Sequence, residues 1–118
     1  MNTLHDRIYK SFQAQGLMTT LGATLAQVSD GEVRIDLPFS PQITQQLGYG
    51  HAGAITSVVD SACGYAALTR APEGAEVVTV EFKINLLRPA IGHRFLAVGK
   101  VQNAGRQIAV CTGEVIAL

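Results

Sequence analysis

A chain of 118 residues, 47% hydrophobic and 15% charged, has room for one domain with one core, not for a two-domain enzyme. Nine basic residues balance nine acidic ones, which argues against the basic footprint of a dedicated nucleic-acid binder. Three tyrosines, four phenylalanines and no tryptophan likewise argue against a base-stacking platform.

In chain order, an amphipathic helix is predicted over 3–15. Leu4, Ile8 and Phe12 recur at four-residue spacing, Asn2 or Thr3 serves as the N-cap, and Gly16 reads as the stop. Leu21, Ala23 and Leu25 then alternate with polar or small residues. Ser29-Asp30-Gly31 makes a turn, after which Val33, Ile35, Leu37 and Phe39 alternate with Glu32, Arg34 and Asp36. This is a hairpin with one buried face. Pro38 places the end of its second strand at an edge or a bend. A loop over 40–52 leads into a strongly apolar helix that fades near Arg70-Ala71-Pro72-Glu73-Gly74. Three strands are expected beyond it. Val78, Val80, Phe82, Ile84 and Leu86 alternate as far as Arg88-Pro89; His93 to Val101 forms the next strand and Gln107 to Ala117 the last, joined by a turn at Asn103-Ala104-Gly105.

The middle helix is apolar almost all round, and such a helix belongs inside a protein. At helical spacing one side carries Gly53, Thr56, Ser57, Asp60, Ser61 and Gly64, and the other carries Ile55, Val58, Val59, Ala62 and Ala66. Asp60 thus sits at the centre of a narrow polar stripe. An ionisable group in such surroundings calls for a partner or a task. Either it hydrogen-bonds neighbouring hydroxyls on a solvated face, or it works in a cleft as a base or nucleophile.

The order helix, two strands, buried helix, three strands predicts an α+β domain spanning 1–118. An antiparallel sheet of five to six strands would wrap around the long central helix, with a short helix at the N-terminus. That is the hotdog architecture. A ferredoxin-like sandwich would need a second comparable helix between the last strands, where the turn at 103–105 leaves no room.

Within that layout, Gln45-Gln46-Leu47-Gly48-Tyr49-Gly50-His51-Ala52-Gly53 through Asp60 resembles the hotdog acyl-CoA thioesterases. The likeness is closest to the phenylacetate-pathway (PaaI-type) and 4-hydroxybenzoyl-CoA thioesterase branch. The family pattern is His-Gly-Gly at the start of the central helix, a carboxylate nine residues after the His and an amide side chain six before it. Here these positions hold His51, Asp60 and Gln45. The run from Val78 to Ala90 also resembles the family's strand after the helix.

The resemblance implies roles. The backbone amide of Ala52, with Gly53 beside it at the helix N-terminus, would face the thioester carbonyl and stabilise the oxyanion. Asp60 would activate water as a general base or attack as a nucleophile. Gln45 would hold the water or the carboxylate, and Thr79 would orient the attack. His51, Ser57 and Ser61 are candidates for substrate contact. Ala52 replaces the first glycine of the usual pair; its amide survives, provided that residue 52 has negative φ. Thr79 alternates with Glu81, Lys83 and Asn85, so it is expected to reach a site only between subunits.

Arg70, Lys83, Arg88, Arg94 and Arg106 are candidates for the phosphates of coenzyme A. The sparse surface charge and the resemblance together imply a homo-oligomer, a dimer of dimers, with each site combining the helix N-terminus of one subunit and Asp60 of another. No metal or bound cofactor, no nucleic acid and no membrane is expected. The three histidines lack metal-site spacing, and Cys63 and Cys111 read as small buried hydrophobes. Without a leader-like N-terminus or a bilayer-length apolar run, a cytoplasmic protein is expected. Rival readings are a hotdog acyl-thioester dehydratase or hydratase using His51 with Asp60, a catalytically silent acyl-CoA sensor, and a purely structural oligomerisation domain.

Overall fold

Helix α3, Ala52–Leu68, is the axle of the fold in this computed structural model, which describes residues 3–118. Ala54, Ile55, Val58, Ala62, Tyr65, Ala66 and Leu68 are buried along it, and every position of the predicted polar stripe is at least partly exposed. The wheel therefore reads correctly. Burying such an apolar stripe against a sheet is the main source of helix stability, since propensity alone is weak.

The sheet has four antiparallel strands in sequential order: β1 (Thr24–Ser29), β2 (Glu32–Pro38), β3 (Arg94–Ala104) and β4 (Ala109–Ala117). Ile35 pairs with Leu25 and with Ala97, and Ala97 with Val115, so one row of side chains on this face meets α3 and the core. The next row along the same face holds Val33, Gly99 and Gly113. There α3 crosses closest. A Cβ on Gly99 would lie 2.5 Å from the backbone of Ala62 and Cys63, and one on Gly113 would lie 2.6 Å from Val59 Cγ2. The two glycines make a saddle in which α3 meets the sheet backbone to backbone at Gly99 and through the Val59 and Cys63 side chains at Gly113.

Helix α1, Leu4–Ala14, packs Ile8 and Phe12 into the core and starts with a capping box between Thr3 and Asp6. Thr3 is the cap; Asn2, the alternative cap, lies outside the described residues. Gly16, expected to stop the chain's first helix, instead opens a second one, α2 (Gly16–Leu21), so Leu21 is helical and not the first residue of a strand. Met18, 1% exposed, anchors α2 in the core, and Gly22 at φ 80° ends it.

The strand expected over 78–86 is not formed. The segment runs exposed alongside the helix, with Val78 87%, Val80 76% and Phe82 59% exposed, and belongs to no ladder of the chain. Period-two alternation reports which side chains need cover, not which chain supplies it. Hence four strands form where five to six were expected. The hairpins elsewhere lie close to expectation: Ser29 pairs with Glu32 across the Asp30-Gly31 turn, and β3 and β4 join through 105–108.

Candidate active site

The loop before α3 is tied down by its own polar groups. Gln45 Oε1 accepts the backbone N–H groups of Leu47 (2.6 Å) and Tyr49 (3.1 Å), and the Gln45 N–H donates to the Tyr49 carbonyl. The side chain closes the turn with its oxygen, which leaves its NH2 group as the end able to meet a ligand. Gly50 donates to Ala90 and His51 to Ile43, which fixes the point where α3 begins.

His51 is the N-cap of α3. Its Nδ1 accepts from the Gly53 N–H at 2.7 Å, so the ring proton in this arrangement resides on Nε2. The Gly53 amide is thereby occupied within the chain. The Ala52 amide has no acceptor among the described residues and lies at the exposed start of a 17-residue helix. No non-glycine residue among the described residues has positive φ, so the alanine at 52 fits without backbone strain. Of the two amides expected to face a carbonyl, Ala52's is the open one.

Asp60 is half-buried on the polar stripe, and Thr79 Oγ1 donates to its Oδ1 at 2.8 Å. Thr79 therefore reaches Asp60 within its own chain, because the segment after α3 runs back beside the helix. Asp60 Oδ2 has no protein hydrogen bond among the described residues. Ser57 Oγ donates to the Gly53 carbonyl (2.7 Å), and Ser61 Oγ donates to Gln15 Oε1 (3.3 Å), so the two serines of the stripe spend their protons inside the chain.

The structure does not bring Ala52 and Asp60 together within one chain. They stand eight residues apart on one unbroken helix, about 12 Å along its axis. A single thioester carbonyl cannot touch both from the same protomer.

One stripe neighbour is also affected. The Cys63 thiol is pushed up from its ordinary 9.0 to about 11, first by burial and then by Cys111 and Asp60. Cys111 is raised as well by burial, and its Sγ donates to the Cys63 carbonyl at 3.4 Å. Both cysteines are half-buried and free, not fully buried as expected.

Among the basic residues, Arg70 pairs with Asp30 (2.6 Å) and Arg94 with Asp36 (3.0 Å). Lys83, Arg88 and Arg106 make no ion pair among the described residues. No three His, Cys, Asp or Glu side chains among the described residues converge to hold a metal ion.

Residues 47–118, which include α3 and both long strands, match the Thioesterase superfamily. The chain belongs to that family. A thioesterase family protein from Silicibacter pomeroyi has the same fold at TM-score 0.95 and 42% identity, over 98% of this chain and 85% of that one. A Halobacterium salinarum protein provisionally named an esterase is 30% identical over 86% of this chain and 70% of its own. The PaaI protein of the E. coli phenylacetic acid degradation operon matches at TM-score 0.86 and 20% identity, over 96% of this chain and 80% of that one, a likeness of fold. The protein is accordingly a hotdog-fold thioester hydrolase.

Sequence reasoning missed Gln15 altogether. Its Nε2 donates to Tyr65 Oη at 2.8 Å while its Oε1 accepts from Ser61, which ties the α1–α2 elbow to the polar stripe. In the sequence it is merely the last polar residue of a helix, and only the unexplained hydroxyls of Ser61 and Tyr65 on the facing helix hint at a partner.

Proposed function

We propose that the protein hydrolyses an acyl-CoA to the free acid and coenzyme A, in sites shared between two protomers. The observation that carries this reading is the placement of one unpartnered amide, at Ala52, and one carboxylate with a free oxygen, at Asp60, about 12 Å apart on a rigid helix. Each would serve a different carbonyl, completed by the other protomer. The exposed 78–87 strip and the open edge of β4 favour such an assembly, since an unpaired apolar edge invites another chain. We place the assembly in the cytoplasm as a dimer of dimers.

In the reaction as we read it, the thioester oxygen accepts from the Ala52 N–H, where the helix dipole favours the developing negative charge. Asp60 either takes a proton from the attacking water or itself adds to the carbonyl, giving an anhydride that water then opens. In both routes the C–S bond breaks, the sulfur leaves with its electron pair as coenzyme A thiolate, and that thiolate is protonated. Thr79 fixes one Asp60 oxygen so that the other faces the substrate. The Gln45 NH2 group holds the water or the carboxylate. Lys83, Arg88 and Arg106 are the cations left for the phosphates of coenzyme A. Every step draws on water and on the chain's own groups.

The test is thiol release from a panel of acyl-CoAs. Asp60→Asn is expected to lower kcat/KM at least a hundredfold, about 2.7 kcal/mol of barrier. Ala52→Pro deletes the amide donor at the first helical position, where proline is tolerated, and His51 at ψ 135° suits a following proline. It is expected to cost about a hundredfold or more with the fold intact. Acyl-CoA binding without turnover by the unaltered protein would instead mark a sensor.

A further inference from the structure

A cavity of about 260 Å³ opens beside the start of α3. Its wall joins Gly53, Ala54 and Ser57 of α3 to Ile43 of the preceding loop and to Leu17 and Leu21 of α2. Leu17 and Leu21 are four residues apart, so they share one face of α2, while Met18 on another face is buried in the core. Ile43 and Ala54 are 2% and 7% exposed and form a fixed floor; Leu17 is 52% exposed and forms the rim.

Helix α2 has six residues and would not hold its place by itself. It is held at both ends. Before it, the Gln15 side chain bridges Ser61 and Tyr65, and Ser11 Oγ lies 3.0 Å from Tyr65 Oη. After it, the Ala23 N–H donates to the Met18 carbonyl at 2.9 Å and Gly22 turns the chain away. The elbow is thus pinned to the same helix that carries Ala52 and Asp60. Such anchoring is what a wall needs if it is to measure a ligand.

We infer that this cavity takes the acyl part of the thioester, and that Leu17 and Leu21 set the largest acyl group the enzyme accepts. The inference rests on the reading of Ala52 as the oxyanion donor, since the cavity is lined by the residues on either side of it, His51 and Gly53. Leu17, Leu21, Ile43 and Ala54 give the wall apolar surface for an acyl chain, beside the amide that would take its carbonyl. Its size sets the range. A cavity of roughly 150 Å³ admits benzene, so 260 Å³ holds one ring or a short chain, and a longer chain meets the rim at Leu17.

The experiment compares kcat and KM for acetyl-, butyryl-, hexanoyl-, benzoyl- and dodecanoyl-CoA across the unaltered protein, Leu17→Trp, Leu17→Ala and Leu21→Ala. The expected result is a cut-off before dodecanoyl. Leu17→Trp should lower kcat/KM for hexanoyl- and benzoyl-CoA about tenfold or more and leave acetyl-CoA within about twofold, while the two alanine variants move the cut-off toward longer chains. Because Leu17 is half exposed, the melting temperature of its variants should not move. Parallel changes across all chain lengths, or a profile that no variant shifts, would overturn the role of α2 and leave the thioesterase reading standing. If the unaltered protein releases no thiol, calorimetric binding of the same panel decides. A size limit on binding that Leu17→Trp tightens supports the cavity while the hydrolytic reading fails, and no binding of any member overturns both.

Discussion

Asp60 is held by one short hydrogen bond from Thr79 and keeps one oxygen open, while Ala52 offers one amide and His51 occupies the next. These are small, local arrangements, and each is set by a neighbour in sequence or by the strip that runs along the helix. The same neighbourhood silences Cys63. A thiol at about 11 in place of 9.0 has roughly a hundredth of the thiolate at pH 8, and thiolate is the reactive form. Iodoacetamide at that pH is therefore expected to alkylate Cys63 about a hundredfold more slowly in the folded protein than in guanidinium, as read by mass spectrometry of the modified peptide. Fast labelling of Cys63 in the fold would contradict the burial assigned to it. The sign for stability follows from the same shift. Between pH 9.0 and about 11 the unfolded chain loses this proton and the folded one keeps it, so stability falls as pH rises through that window.

At the scale of elements, the glycine saddle decides how close α3 sits. Gly99→Ala forces a methyl into the Ala62 backbone and is expected to destabilise by about 2 to 3 kcal/mol, a loss of order 10 °C in Tm. Gly16→Ala, with nothing within 4 Å, should be neutral or slightly stabilising, and chemical denaturation of both variants checks the contrast. The elements that were legible in the sequence are those whose pattern was clear and bounded by turns: α1, the β1–β2 hairpin, α3 with its stripe, and the β3–β4 hairpin. Helix α2 was not. Gly-Leu-Met-Thr-Thr-Leu is too short for a helical period to declare itself, and its glycine and two threonines argue against a helix. Tertiary anchoring of Met18 and Gln15 overrides that propensity. The strip at 78–86 was misread for the opposite reason. Its alternation is perfect, but alternation does not say which edge a strip will join, and this one joins none among the described residues. Asp60 could be singled out by its place on an apolar helix, and Ala52, Gln45 and Thr79 through the resemblance to a family. Gln15 meets α3 only through the fold, and spacing cannot reveal such a meeting.

For the whole molecule, the separation along α3 has a direct test. Asp60→Asn and Ala52→Pro chains, each inactive alone, are unfolded together and refolded as a mixture. If sites are shared, half of the randomly paired dimers are mixed, and each mixed dimer holds one site with both groups intact. About a quarter of the unaltered activity should return. Sites confined to single chains would stay silent at any mixing ratio.

The saddle of Gly99 and Gly113 also bears on how this protein can be changed. Because Gly99 lies against the helix backbone and Gly113 against the Val59 and Cys63 side chains, a larger residue at either forces the helix or its side chains to shift, and neither position offers a route for gradual variation. A library of random variants would keep glycine at both and discard nearly everything else. The rim of α2 is under no such constraint, since Leu17 faces outward and touches none of that support. The axle is frozen and the rim is free. A laboratory selecting for new substrates could therefore rewrite one without endangering the other.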